Sequence, residues 1–322
     1  MSSSPRVTES SMHIRVLSAL QRNQNRSQQA MEKVSSGKQL TRPSDSPTGT
    51  VTALQLRDEV RASKRYSSNA DDALGRLGVV QDNLQSTLDL VGVARNRTLE
   101  ASNLGGSSTP EANKARAAEL EQIKANLIQY SNSKYLDRPV FGGATPDFEA
   151  YDTNGNYIGQ SADQTLRAIG PNAKIRVDVR GPEAFGNDYL LDASGNYVDA
   201  NGNPSATPVR NPAQLFNVLD DVIAAMKSGD SEALTAGLQN LDKASDLMKS
   251  TLSEVGARYN RVTQMKQSAE DRLMSVSSQL SDVEDIDLPK AIMDLQLQQT
   301  SYQAALAATA KVIQPSLIDF LR

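Results

Sequence analysis

Few residues in this chain could do chemistry, and their spacing suits little of it. There is one histidine, His13, and no cysteine. A nucleophile–base pair would have to join a serine to His13, and a lone histidine on a weakly patterned helix is far more often a surface or packing residue than a base. Four carboxylates crowd together at Asp282, Glu284, Asp285 and Asp287. A hard cation needs oxygens that converge on one point, whereas neighbours along a helix diverge, so a solvated face or pairing with cations is the better reading. Gly37-Lys38 faintly resembles a phosphate loop but lacks the upstream glycine and the preceding strand. Three runs, beginning at Asp152, Asp192 and Asp199, read Asp-x-Asx/Ser-Gly-Asn. They hint at calcium loops, yet no glutamate closes any of them at the twelfth position, so they read as plain turns. The expectation is no catalytic residue, no metal site and no cofactor, and therefore no enzyme.

Composition narrows the remaining classes. A chain of 322 residues has room for two or three domains. Its net charge of −4 offers no field for a polyanion. Residues 1–42 carry seven Lys/Arg against two Asp/Glu, but these are scattered, with no aromatic interleaved for stacking. Nucleic acid is therefore not an expected partner. Every apolar run is broken by charged or amide side chains, which argues against a membrane-spanning helix or a membrane partner. The first sixteen residues contain no apolar h-region, so no cleaved secretory signal is expected, and export would need a dedicated machine.

The elements that would position any site are helices. From Leu234 to Val283, steps of four and three visit Leu234, Leu238, Leu241, Ser245, Met248, Leu252, Val255, Tyr259, Val262, Lys266, Ala269, Leu273, Val276, Leu280 and Val283. That is a left-handed coiled-coil seam, about 75 Å long at 1.5 Å per residue. A second stripe runs Ala70, Ala73, Leu77, Val80, Leu84, Leu88, Val91, and a third runs Arg116, Leu120, Ile123, Leu127, Tyr130. Pro110 with Thr109 or Ser108 starts the third helix. Upstream, a weaker helix from Met12 ends in Ser35–Pro47, rich in Pro and Gly. Residues 140–211 change character: Asx-Gly turns and the alternating Ile175, Val177, Val179 predict hairpins.

After Val283 the register slips, Pro289 intervenes, and Asp287 is placed to cap a new helix. From Leu295 to Ala310 that helix has no charge at all. A helix uncharged all round wants burial on most sides. The N-terminal helix can cover only part of it, so the two ends are expected to pair, with other copies or related subunits covering the rest. The predicted fold is mainly α: a long antiparallel coiled-coil or helical-bundle rod built from both chain ends, with a small β-rich inserted domain. Its parts would be residues 1–47 plus 288–322 for assembly, 48–139 plus 212–287 as the helical rod, and 140–211 as the insertion. The predicted assembly interface is Val16, Leu20, Leu295, Tyr302, Leu306, Ile313, Leu317 and Phe320.

Several stretches resemble the bacterial flagellin superfamily. Ser35-Ser36-Gly37-Lys38-Gln39-Leu40-Thr41-Arg42-Pro43-Ser44-Asp45-Ser46-Pro47 is similar to the segment closing the first terminal helix there. Arg6-Val7-Thr8, Asn23-Gln24-Asn25-Arg26, Pro139-Val140-Phe141-Gly142-Gly143, Leu280 to Asp287, Gln298-Gln299-Thr300, Ala304 to Ala310 and Ser316 to Leu321 resemble one branch, the hook–filament junction subunits. The resemblance covers residues 6–143 and 234–322; the 144–211 insertion matches only loosely. It implies a structural adaptor of the flagellum, with filament flagellin itself as the alternative. It also implies secretion by type III export with a cytoplasmic export chaperone, self-association as a ring, and contacts with flagellin and the preceding hook-associated junction protein.

Overall fold

A computed structural model describes residues 9–102, 109–143, 149–159 and 164–313, with side chains between residues 14 and 310 of those spans. The elements are α1 (Glu9–Ser36), α2 (Pro47–Ser102), α3 (Pro110–Ser131), β1 (Lys134–Tyr135), β2 (Arg138–Pro139), β3 (Leu166–Ala168), β4 (Lys174–Arg176), α4 (Gly181–Phe185), α5 (Leu215–Ser228), α6 (Ser231–Glu284) and α7 (Leu288–Ile313). Helix dominates, as the heptad patterns predict. The chain divides into two compact units, Met1–Ala62 with Asp271–Arg322, and Ser63–Glu270; α2 and α6 contribute to both.

Several helices start where a side-chain acceptor is available. Ser46 Oγ accepts the Gly49 amide at 3.1 Å and Pro47 takes the first position of α2. Thr109 Oγ1 does the same for Ala112 at 3.2 Å, ahead of Pro110. Gly229, left-handed at φ 73°, closes α5, and Asp230 Oδ1 accepts the amides of Glu232 and Ala233 to open α6.

In the second unit α2, α3, α5 and α6 share one core containing Leu77, Leu84, Leu120, Leu127, Leu219, Met226, Leu241 and Met248. The α6 seam is real but unequal. Leu234, Leu241, Met248, Val255, Val262, Ala269 and Val276, seven apart, are buried; the alternate positions Leu238, Ser245, Leu252, Tyr259 and Lys266 are half-buried. Lys266 belongs there because its Nζ lies 2.7 Å from Asp71 Oδ1 of α2. On α3 the stripe departs from expectation at its end: Tyr130 is exposed. The helix α5 was not separately foreseen. It presents Leu215, Phe216, Val218, Leu219, Val222 and Met226 to the core, and Gly237 of α6 leaves room for Val222, whose Cγ2 would sit 2.4 Å from an added Cβ.

The hairpin β1–β2 pairs Lys134 with Pro139 and Tyr135 with Arg138, leaving a two-residue loop. Its residues, Leu136 and Asp137, have φ of 49° and 61°, the positive pair that a type I′ turn requires. Buried Arg76 anchors the hairpin by donating from Nη2 to the Pro139 carbonyl at 3.2 Å. The insertion contains β structure in short pieces: β3 pairs antiparallel with β4, and isolated bridges join Tyr151 to Tyr157, Leu191 to Tyr197 and Val198 to Pro204. Those three bridges span the three Asp-x-Asx/Ser-Gly-Asn runs, which are the same turn used three times. Asp152 Oδ1 accepts the amides of Asn154 and Asn156, and Asp192 and Asp199 repeat the pattern. Each glycine sits at positive φ, as a type I turn followed by a glycine bulge demands. The aspartates spend their oxygens on the turn itself, and among the described residues no cluster of metal-ligating side chains forms. Beside the first of these turns, where Gly155 lies against Phe216, Phe141, Tyr151, Phe185 and Phe216 pack in edge and tilted contacts, with Tyr151 completely buried.

Candidate assembly interface

In the first unit the Pro-rich segment after α1 and the acidic segment after α6 meet. Gly37, at φ 68°, ends α1, and its carbonyl accepts the Ile286 amide at 3.1 Å. The Gln39 amide donates to the Glu284 carbonyl at 2.6 Å, so Lys38 and Asp285 face each other as an antiparallel bridge. Side chains reinforce it. Lys38 Nζ donates to Asp285 Oδ1 at 2.5 Å and stands 3.4 Å from Glu284 Oε2, while Arg57 Nε lies 2.6 Å from Glu284 Oε1. The bond to Asp285 raises the Lys38 ammonium above its ordinary pKa, and Lys38 holds the Asp285 carboxyl below its own. Glu284 is only 3% exposed. The acidic cluster is thus resolved by residues. Glu284 and Asp285 pair with cations of this same chain, and Asp287 Oδ1 accepts the Lys290 amide to cap α7. The lysine of the glycine–lysine pair is engaged by carboxylates. Asp45 closes the intervening loop, accepting from the amides of Thr41 and Arg42 and from Thr41 Oγ1, and these bonds, that from Arg42 foremost, lower its pKa.

From this junction α1 and α7 run antiparallel and pack on one another. The half-buried stripe of α1 is Val16, Leu20, Asn23, Ser27, Ala30 and Val34; that of α7 is Ala291, Leu295, Gln298, Tyr302, Ala305 and Thr309. Both follow four–three spacing, the pattern of a coiled-coil seam. The small and polar residues in the middle explain why neither helix reads as strongly amphipathic. The basic residues of the first 42 positions do not find their partners along this seam. Among the described residues no ion pair joins α1 to α7; the complementarity is concentrated at the junction.

Each helix carries a second stripe, one residue on from the first. On α1 it is Ile14, Leu17, Gln21, Gln24, Gln28 and Met31; on α7 it is Ile292, Gln296, Gln299, Gln303, Leu306 and Ala310. All twelve are exposed and none is charged. Leu288, Met293 and Leu297 add to the exposed apolar surface of α7. Of the residues expected at the interface, Val16, Leu20, Leu295 and Tyr302 are half-buried within the pair, and Leu306 is exposed. The Ile313 side chain, Leu317 and Phe320 lie outside the described residues. Ile14, Leu17, Met31, Ile292, Met293 and Leu297 are exposed apolar residues outside the interface expected from the sequence. The signal was present in α7, where Leu295 to Ala310 is uncharged on every face and two registers compete.

Two other hollows are less suggestive. Pro110, Asn113, Met226 and Leu234 border one of about 460 Å³, and Arg176, Glu183, Thr251 and Arg258 border another of about 350 Å³. In the latter the charges are already paired, Arg176 with Asp178 and Glu183, and Arg258 with Glu254. No described helix is long and apolar enough to cross a membrane.

Comparison with known proteins gives a consistent result. The bacterial flagellin N-terminal helical region matches residues 7–138 and the bacterial flagellin C-terminal helical region matches residues 238–321, together well over half of the chain. Flagellar hook-associated protein 3 of Escherichia coli K12 is 24% identical over 289 residues, covering 86% of this chain and 87% of that protein. The flagellin of Bacillus subtilis 168 is 22% identical, covering 96% of each. Among solved structures, hook-associated protein 3 of Legionella pneumophila superposes with a TM-score of 0.57 at 15% identity, covering 71% of this chain and 98% of that one.

Proposed function

Because this chain belongs to the bacterial flagellin family, we propose that it is the structural adaptor at the hook–filament junction, joining the preceding hook-associated protein to the first flagellin subunits. The observation that carries an axial role is the pair of uncharged, exposed stripes on α1 and α7. Uncharged surface of this kind, running along two helices with Ile14, Leu17, Met31, Ile292 and Leu306 exposed in it, favours an interface with other chains. The junction assignment within the family is supported by Arg6-Val7-Thr8 and Leu317-Ile318-Asp319-Phe320-Leu321, and by the match to hook-associated protein 3 along most of both chains. The assembly residues are then Val16, Leu20, Leu295, Tyr302, Leu306, Ile313, Leu317 and Phe320, the first four by holding α1 to α7 and the others by meeting neighbours. Residues 1–47 plus 288–322 are the assembly domain, 48–139 plus 212–287 the helical support, and 140–211 an appended module. The chain leaves the cell by flagellar type III export, attended by a cytoplasmic chaperone, and works outside it as part of a ring, with no catalytic step.

Deleting the gene tests this. Hooks remain, filaments are lost and flagellin leaks into the medium; a chain ending at Ala291 fails to restore motility. Normal filaments in the deletion strain would refute the proposal. The second reading, a filament subunit, is favoured by the equally extensive match to Bacillus flagellin. Copy number separates the two: a handful per flagellum for a junction, thousands for a filament.

A further inference from the structure

Two of the three Asp-anchored turns carry Asn-Gly at their centre, Asn154-Gly155 and Asn201-Gly202, where the third has Ser194-Gly195. An asparagine followed by glycine sets an electrophile beside a nucleophile. The side-chain amide carbon is open to attack by the next main-chain nitrogen, and a glycine there has no Cβ to block the approach. Closing that ring requires the glycine N–H to leave its hydrogen bond, the chain to rotate out of the turn, and water to reach the amide.

The two sites begin alike. The Gly155 amide donates to the Asp152 carbonyl at 3.1 Å, the Gly202 amide donates to the Asp199 carbonyl at 3.0 Å, and the glycines have φ of 91° and 82°. Their surroundings differ. Gly155 is buried, and Phe216 Cβ would lie 2.5 Å from a Cβ added to it. Its carbonyl accepts Gln214 Nε2 at 3.2 Å, and Gln214 is itself completely buried. Downstream, the Tyr157 amide ties the turn to Asp188 at 2.8 Å. Gly202 would meet no atom within 4 Å, and residues 200–204 are all exposed. Opening the Asp199 turn breaks bonds that water replaces at once. Opening the Asp152 turn also leaves the buried Gln214 amide without an acceptor, which is costly.

We propose that Asn201 is a site of spontaneous main-chain modification, and that Gln214 and Phe216 shield Asn154, in the same turn, from the same reaction. Gly202 N forms a bond to Asn201 Cγ. Its proton passes through solvent to Nδ2, the Cγ–Nδ2 bond breaks, and ammonia leaves a succinimide ring. One water then opens the ring at either carbonyl carbon, giving an aspartyl or an isoaspartyl residue at position 201; nothing is oxidised or reduced. Both products add a carboxylate two residues from Asp199. The isoaspartyl form also lengthens the main chain by a methylene, which disrupts the bridge from Val198 to Pro204. Because the change runs one way, its extent records the age of the molecule. The inference is independent of where in the flagellum the chain sits.

The test incubates the purified full chain in warm, mildly alkaline buffer, with and without denaturant. Peptide mass mapping and an isoaspartyl assay follow each site. In the folded chain Asn201 should convert about tenfold faster than Asn154, the factor that about 1.4 kcal/mol of extra opening free energy supplies. In denaturant the two rates should converge. Asn201→Ser, which copies the Ser194-Gly195 turn of this chain, should abolish the signal at that position. Equal rates in the folded chain, or no conversion of Asn201 until the chain is denatured, would overturn the proposal. A tenfold difference that persists in denaturant would place its cause in the local sequence and overturn the shielding by Gln214 and Phe216.

Discussion

The β1–β2 loop offers a sharp test of how backbone geometry is stored in this chain. Leu136 and Asp137 both hold positive φ, at 49° and 61°. For an L-residue the left-handed region costs about 1–2 kcal/mol, less for aspartate, whose short polar side chain tolerates it. Leucine has no such relief, and at 75% exposed it recovers little through burial. The loop is nonetheless held in place, because Arg76 binds the Pro139 carbonyl and Tyr135 lies against Gly75, where its hydroxyl would sit 2.4 Å from an added Cβ. Replacing Leu136-Asp137 by Asn-Gly supplies the residues that prefer this turn. The gain is about 2 kcal/mol in relieved strain, less about 0.5–1 kcal/mol for the greater freedom of glycine in the unfolded chain. A net gain of about 1–1.5 kcal/mol corresponds to a rise in Tm of roughly 2–6 °C for a unit of this size. Calorimetry of the purified monomer measures it. An unchanged or lower Tm would refute the reasoning, since Leu136 would then be making a native contact worth as much as the strain. A higher Tm combined with impaired motility would mean that the exposed leucine is used between molecules.

The other predictions concern buried charge. Asp188 has one oxygen, Oδ1, without a hydrogen-bond partner, and burial raises its pKa above the ordinary carboxylate value. A raised acid pKa means that the folded state binds the proton more tightly, so the penalty is full above the folded pKa and vanishes below the unfolded one. Asp188→Asn, keeping an acceptor for the Tyr157 amide that Oδ2 now binds at 2.8 Å, should stabilise by about 1 kcal/mol at neutral pH and have no effect at pH 3; equal shifts in Tm at both would contradict this. Val262→Asp places an unpaired charge at a fully buried seam position and should cost about 4 kcal/mol in urea unfolding, whereas Ser268→Asp on the exposed face of the same helix should cost under about 0.5 kcal/mol. Similar costs would show that the seam is not the core.

Where the sequence was readable, the reason was contrast. On α6 and α2 the apolar residues stand out from charged neighbours, so the seam and its buried seventh positions could be read directly. Thr109-Pro110 and Asp287 were readable because a cap is a local event, whereas the Ser46-Pro47 start of α2 was hidden in a Pro- and Gly-rich run. The α7 register was not. Leu306 was expected at the interface beside Leu295 and Tyr302, but Ala305 lies in the half-buried seam and Leu306 is exposed. With no charge to mark a solvent face, a sequence cannot say which uncharged stripe stays inside the molecule. The junction was out of reach for a different reason. Glu284 and Asp285 were visible as a cluster and Lys38 as part of a motif, but their pairing spans 247 positions and depends on two backbone bridges. The helix α5 was hidden inside a stretch treated as one long support, although its glycine stop at Gly229 was there to be used.

The packing of α3 on α5 has a practical corollary. The chain leaves α3 at Asn132 and returns at Gln214 to α5, the helix that α3 packs on, and along the way a Cβ added at Gly202 would have no atom within 4 Å. A dye-labelling peptide or a foreign antigen grafted at Gly202 would be displayed without loading the helices below, so the turn doubles as a mounting point.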